Sequence, residues 1–313
     1  MISTLIATYN RGPDLRLVLG CLLNQRLPAG LEHEVIIIDN NSNDDTRAVV
    51  ESLIPSFGGK LKYFFEPRQG KSFAINKGIQ EAQGEIIVLT DDDCTFESDY
   101  IAKIYQAFQK GGLEIGFIGG RILPRYVGCS KPAWFAELEP GWWYKEFFWG
   151  PLAVLDYGEE PFIIDKRGLP LSDLKLFYGA NMAVRKELFF HHGHFDIEKY
   201  HTHDTEFQLR FLREGARGLY TPEVKVYHKI TADRLTPQYY YRWYFKRGYL
   251  LDFQGRYREK IYHPFGIQWA MLAKTVKLLV TSVFVRSLTQ KVYRRCQALF
   301  NLGQMKQLIK ENS

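Results

Sequence analysis

Glu85-Ile-Ile-Val-Leu-Thr-Asp-Asp-Asp-Cys94 is the stretch on which the reading of this chain turns. Apolar β-formers run without interruption into three consecutive carboxylates. A continuous apolar run of this length reads as a strand buried on both faces, as in a parallel sheet. Asp91, Asp92 and Asp93 then emerge at its C-terminal end, where open α/β sheets bind their ligands. Adjacent carboxylates repel one another, so a fold keeps three together only where something positive relieves the repulsion. A divalent cation held between them and a phosphate does so, and hard oxygen ligands suit Mg2+ or Mn2+. A solvated acidic turn is the plainer alternative.

Upstream, Ile2–Thr8 is a β-rich apolar run that breaks at Tyr9-Asn-Arg-Gly-Pro13. Leu15, Val18, Leu19, Leu22 and Leu23 recur at helical spacing over 14–24. A second buried strand, Glu34–Ile38, ends in the polar loop Asp39–Thr46, which supplies caps for a helix running to Ile54. Leu61–Glu66 predicts a third strand, Ser72–Ala82 a helix, and Gly84 leads into the strand before the carboxylates. Strands and helices alternating with short connections predict a parallel, doubly wound sheet.

A dinucleotide fold has the same pattern, so the first turn discriminates. A Rossmann fingerprint needs GxGxxG after the first strand. Here the turn is Ala7-Thr-Tyr-Asn-Arg-Gly12, with no second glycine to admit a pyrophosphate. Gly70-Lys71-Ser72 ends like a P-loop, but Phe65 stands where its first glycine belongs.

With 313 residues the chain suits one large domain, or one domain with an extension. The N-terminus enters a strand at once, without a basic and apolar leader, which makes a cytosolic face the expectation. Cys21, Cys94, Cys129 and Cys296 lie far apart and form no CxxC pair, which fits a reducing compartment and argues against structural zinc. The net charge of +6 hides an asymmetry: residues 225–313 hold 17 Lys and Arg against 4 Asp and Glu, leaving the remainder acidic. A basic tail on an acidic body points to an anionic partner, whether a membrane surface, nucleic acid or a diphosphate.

Ala7-Thr-Tyr-Asn-Arg11, the strand ending in Asp39-Asn-Asn-Ser42, Gly70-Lys-Ser-Phe-Ala-Ile-Asn-Lys-Gly78 and Gly84 to Asp93 resemble, in this order, the motifs of glycosyltransferase family 2. The resemblance continues through Gly179-Ala-Asn-Met-Ala-Val-Arg185, His203-Asp-Thr-Glu-Phe-Gln-Leu-Arg210 and Val226-Tyr-His228, covering roughly residues 1–250. It implies the GT-A fold, an α/β architecture with a mostly parallel sheet and helices on both faces. Residues 1–110 would be its nucleotide-sugar half, 111–235 its acceptor half, and 236–313 a basic helical extension.

By the same resemblance, Thr8, Tyr9 and Arg11 line the nucleotide pocket, Asp39 accepts a hydrogen bond from uracil, and Arg68 and Lys71 lie near base and phosphates. A strand-end carboxylate can accept from a base N–H, and a Tyr ring can stack on it. An Asx turn at Asp39, packing of Tyr9 and a surface charge at Arg11 are the structural alternatives. Asp91 and Asp93 match the DxD pattern, with Asp93 the direct ligand of Mn2+ or Mg2+ and Asp91 and Asp92 touching ribose or metal-bound water. His228 resembles the histidine that completes such a site. Inverting transfer needs a base for the acceptor hydroxyl; Asp204 matches it, although His203 stands where the family carries an acidic residue, and Glu206 is the second candidate. Both carboxylates would equally suit the start of a helix. His201-Thr-His203-Asp204 is also compatible with a hydrolase metal site, but the polar 195–200 segment before it is no buried strand.

Trp134, Phe135, Trp142, Trp143, Tyr144, Phe147, Phe148 and Trp149 form an aromatic-rich region that suits sugar stacking or core packing. Trp134 and Asn181 are the acceptor-side candidates, both by resemblance. In the tail, Tyr239–Tyr249 interleaves aromatics with basic residues, but no nucleic-acid-binding motif accompanies it. Lys274 and Lys277 interrupt the apolar Phe265–Val285, so no charge-free run reaches the ~20 residues of a spanning helix. Lys274, Lys277 and Thr281 share a helical face opposite Trp269, Leu272, Leu279 and Phe284. That pattern fits an in-plane membrane helix, with Arg286, Lys291, Arg294 and Arg295 on anionic headgroups, or a helix packed on the protein. The sequence therefore predicts an inverting transferase using a nucleotide sugar, UDP-linked, and a saccharide or lipid-linked acceptor. A metal-dependent nucleotidyltransferase and a non-catalytic sugar- or nucleotide-binding protein are the alternatives.

Overall fold

Unbroken apolar runs become the central strands. The structure, a computed structural model, describes residues 1–135, 148–166, 175–197, 203–250 and 264–311. Strands β1 (Ile2–Thr8), β2 (His33–Asp39), β3 (Leu61–Phe65) and β4 (Ile86–Asp91) alternate with helices α1 (Gly12–Leu23), α2 (Thr46–Leu53) and α3 (Lys71–Glu81). Each predicted element of this region is present to within two residues at its ends, helix starts included. β2 is buried along its whole length and β1 nearly so, as strands covered by helices on both faces must be. Leu5, Ile6, Ile36, Ile38, Val88 and Leu89 lie in the core against Leu15, Leu19, Ile75 and Ile79 of the helices.

The order β3-β2-β1-β4 is parallel, with Thr8 opposite Asp39 and Ala7 opposite Asp91. This register brings the ends of β1, β2 and β4 level. Beyond β4 the strands pair antiparallel. After α4 (Tyr100–Gly111) come β6 (Ile115–Tyr126), β7 (Phe162–Ile164), β8 (Asn181–Arg185) and β9 (Arg217–Ile230), with the two-residue β5 (Cys94–Thr95) directly after the carboxylates. β8 pairs with β4 and β6 antiparallel, and β9 pairs antiparallel with β5 and β7, giving nine strands among the described residues. β9 alternates buried and half-exposed residues over much of its length, a pattern suited to an antiparallel strand with one wetter face. α5 (Glu187–His192) and α6 (His203–Arg213) connect β8 to β9.

Two compact units result: residues 1–125 with 153–229, and residues 126–152 with 230–313. The first holds nearly all of the sheet. The second holds the 3-10 turn Ala133–Phe135 and α7 (Pro237–Leu250), α8 (Pro264–Val283) and α9 (Leu288–Glu311). α7 and α9 touch backbone to backbone where a Cβ on Gly248 would lie 2.1 Å from the Phe300 carbonyl oxygen and one on Gly303 would lie 2.2 Å from that of Phe245. Only glycine at both positions allows that crossing.

Candidate active site

The three carboxylates sit on a turn. β4 ends at Asp91, β5 begins at Cys94, and Asp92 and Asp93 form the link. Each carboxylate meets a different partner. Lys71, at the start of α3, places Nζ 2.5 Å from Asp91 Oδ1. The Thr8 hydroxyl at the end of β1 donates to Asp92 Oδ2 at 2.8 Å. His228 in β9 places Nε2 3.2 Å from Asp93 Oδ1, and both side chains are buried. Arg11 adds a charge that acts on Asp92 and Asp93 and bonds Asp14, which in turn holds Lys229 at 2.6 Å. The repulsion within the triplet is thus relieved from four directions.

Electrostatics follow from this crowding. Burial, reinforced by Asp93 and Asp91, pushes the Asp92 carboxyl up to about 7 against the opposing pull of the Thr8 hydroxyl and Arg11. Desolvation works against the Lys71 ammonium, but Asp91 and Asp204 raise its pKa above the ordinary lysine value. Burial, with Asp91 and Asp93 nearby, raises the Cys94 thiol well above its usual range, so it stays a thiol.

The loops are fastened by their own side chains. Asn40 accepts from the Gly70 N–H at 2.8 Å and donates to the Arg68 carbonyl at 2.7 Å, which fixes the approach to Lys71. Asn10 accepts from the Asn43 N–H, and its own N–H reaches the Ser42 hydroxyl, locking the loops after β1 and β2 together. Asp39 is buried; its two oxygens accept from the Ser42 N–H and the Tyr63 hydroxyl, both at 2.8 Å. Tyr9 is about half exposed beside these loops. Arg68 binds Glu66 through two parallel bonds of 2.8 and 3.0 Å and stacks on Phe73, with its side chain largely exposed.

Asp204 arrives from the antiparallel half. Thr90 of β4 lies opposite Asn181 of β8, so the Gly179–Ala180 turn stands at the carboxyl end of β4. Gly179 N–H donates to Asp204 Oδ2 at 2.8 Å. A Cβ on Gly179 would lie 2.9 Å from Asp204 Oδ1, so glycine is required for that approach. The buried Gln208 clamps the same turn to α6, bonding both the N–H and the carbonyl of Phe177 and the Asp204 carbonyl. Glu206 instead pairs with Arg210 on its own helix.

The residues at Asp93 fit a divalent cation. Carboxylate, imidazole and thiol donors of Asp93, His228 and Cys94 lie within 4.8 Å of one another. His228 Nδ1 is buried with no hydrogen-bond partner among the described residues. A carboxylate with an imidazole suits Mn2+ or Mg2+ better than a protonated thiol does, which leaves Asp93 and His228 as the fitting pair.

Both acceptor-side candidates, Asn181 and Trp134, make contacts within the protein. Asn181 is buried, and its amide donates to the Arg121 and Val224 carbonyls while accepting from the Tyr100 hydroxyl. Trp134 lies in the second unit, packed edge-on against Phe135, Phe148 and Tyr240. Trp142, Trp143, Tyr144, Phe147 and His201 lie outside the described residues, as do the side chains of His203 and Trp269. Asp14, Lys229, Tyr63 and Gln208 escaped the sequence reading, because only the pairing of distant strands shows what they touch.

Residues 3–167, more than half of the chain, match the profile of glycosyl transferase family 2. The chain belongs to that family. The transferase is 22% identical over 73% of its length, and 67% of the relative's, to a glucosyl-dolichyl phosphate glucuronosyltransferase of Haloferax volcanii. It is 30% identical to a GalNAc(5)-diNAcBac-PP-undecaprenol beta-1,3-glucosyltransferase of Campylobacter jejuni, over 42% of the chain and 41% of that protein. Other curated relatives are likewise matched over about two fifths of their length. The GT-A architecture is shared with the mannosyltransferase PcManGT of Pyrobaculum calidifontis, solved with GDP-Man and Mn2+, at TM-score 0.63 and 18% identity over 99% of this chain and 87% of that one. S. aureus TarS with UDP superimposes at TM-score 0.54 and 15% identity, over 100% of this chain and 92% of that one.

Proposed function

We propose that the chain is a metal-dependent, inverting glycosyltransferase that moves a sugar from a UDP-sugar to a saccharide or lipid-linked saccharide. The observation that carries this reading is the convergence of the Asp91–Asp93 turn and Asp204 at the carboxyl end of β4, through the pairing of β4 with β8. In this reading Tyr9 stacks on the base and Asp39, whose oxygens each keep a second lone pair, accepts from it. Arg11 and Lys71 face the phosphates with Thr8 and Asp92 beside the ribose, while Arg68 shapes the loop before Lys71. Asp204 takes the proton of the acceptor hydroxyl as its oxygen attacks the anomeric carbon from the face opposite the diphosphate. The bond to the phosphate oxygen breaks with its electron pair leaving on the nucleoside diphosphate, so configuration inverts. Mn2+ or Mg2+, held by Asp93 and His228 with Asp91 close by, would stabilise the charge on that leaving group as a Lewis acid.

The relatives named for dolichyl phosphate and undecaprenol-linked substrates support a lipid-linked acceptor. The neighbours solved with GDP-Man and with UDP support a nucleotide-sugar donor. Calorimetric titration with UDP, GDP and ADP, each with and without Mn2+, tests the reading. UDP is expected to bind at least about tenfold more tightly with metal, and Asp93→Ala to abolish that gain. Preference for GDP would overturn the donor base, and binding indifferent to metal would overturn the role of Asp93.

A further inference from the structure

α8 is built the wrong way round for a helix of a water-soluble bundle. Thr275 and Ser282 are buried, and Ser282 accepts from Arg295 of α9, so a polar strip faces inward. Val276, Leu279, Val280 and Val283 recur at i, i+3, i+4 and i+7, one side of a helix, and that side is exposed at 50%, 38%, 52% and 65%. Phe284 continues the strip at 81% exposure and Leu288 at 46%. Six contiguous exposed apolar side chains mark a contact surface rather than an ordinary monomer exterior.

Charge selects the occupant. Residues 264–310 contain eight Lys and Arg and no Asp or Glu. Lys274, Lys277 and Arg286 are exposed beside the apolar strip. A second copy would set these cations against one another, whereas a lipid surface takes apolar side chains below its headgroups and cations beside its phosphates. Among the described residues no helix is long and apolar enough to cross a membrane, which leaves the in-plane mode.

We infer that the C-terminal unit docks on an anionic bilayer surface, with the Val276–Phe284 side of α8 inserted among the acyl chains and Lys274, Lys277 and Arg286 at the phosphates. The docking stands apart from the donor and acceptor reading, because none of these residues belongs to the carboxylate site. It would hold the chain at the surface where a lipid-linked substrate resides.

The full chain is centrifuged with vesicles of phosphatidylcholine alone and of phosphatidylcholine mixed with phosphatidylglycerol. Sedimentation with the mixed vesicles only, weakened by salt, is the expected result. Val280→Asp with Phe284→Asp removes apolar contact at exposed positions and is expected to lower partitioning at least about tenfold. Lys274→Glu with Lys277→Glu is expected to lower it roughly tenfold on the anionic vesicles alone. Both variants should keep wild-type UDP binding and melting temperature, which separates failed docking from a failed fold or a failed donor assignment. Equal sedimentation with neutral vesicles, undiminished binding by the variants, or a dimer in sedimentation velocity that Val280→Asp dissociates would each overturn the inference.

Discussion

Gly179→Ala puts the base assignment under direct strain. The new methyl carbon would lie 2.9 Å from Asp204 Oδ1 and 3.2 Å from its Cγ, while the Gly179 N–H holds the other oxygen at 2.8 Å. Ordinary carbon–oxygen contact requires roughly half an ångström more, and the carboxylate is the mobile partner, so Asp204 swings away from the turn. A bond to a charged acceptor contributes ~1.5–3 kcal/mol, but water can replace it at a half-buried carboxylate, so the stability loss should stay near 1 kcal/mol. Rate is far more sensitive: displacing a catalytic group by up to 1 Å costs as much as about a hundredfold. We therefore expect kcat to fall ten- to a hundredfold, about 1.4–2.8 kcal/mol of barrier, with UDP affinity unchanged. The assay follows nucleoside diphosphate released from the donor, with an acceptor or with water in its place, beside calorimetric binding and thermal melting. Wild-type turnover in a folded Gly179→Ala protein would refute the idea that this turn positions the base. Loss of turnover in proportion to lost donor binding would do the same.

Two further outcomes follow from buried groups. Asn181→Ala leaves the Tyr100 hydroxyl and the Arg121 and Val224 carbonyls without their shared partner, which should destabilise the protein by about 2–4 kcal/mol in urea unfolding; a loss under 1 kcal/mol would restore the acceptor-side reading of this residue. His33 is held neutral, pushed down to about 4 by burial, with Lys60 adding to the effect and Glu34 opposing it, and its Nε2 lies 2.9 Å from the Thr4 hydroxyl. Below pH 6.5 the unfolded chain takes up a proton that the folded chain refuses until about pH 4, so this stability is complete above 6.5 and is lost as the pH falls through that window. The loss should be about 2–3 kcal/mol, and His33→Asn should remove it from urea midpoints compared at pH 7 and pH 4.5; an unchanged difference between those midpoints would refute it.

The sequence by itself determined the parallel half of the sheet and where its candidate site residues fall along it. Those features are local: an apolar run long enough to be a strand, helical spacing between strands, and a carboxylate run at a strand end. Thr8, Arg11, Lys71, Asp91–Asp93, Asp204 and His228 all fall in the first unit, at strand ends, helix starts and turns and, for His228, near the end of β9. Tertiary structure decided what each of them touches. Thr8 meets Asp92 across 84 residues, and Asp93 meets His228 only because β5 pairs with β9. Asn181 in a GAN motif reads as a ligand-binding amide, yet its side chain is bonded to one helix and two strands, at Tyr100, Arg121 and Val224. The same limit holds in the tail, where helical spacing separates apolar from basic positions but cannot say which side packs. In α8 neither of these turns inward but the strip of Thr275 and Ser282, where the Arg295 guanidinium of α9 finds its acceptor. Periodicity is a property of one segment, whereas a partner is a property of two, and only the folded chain brings the second to the first.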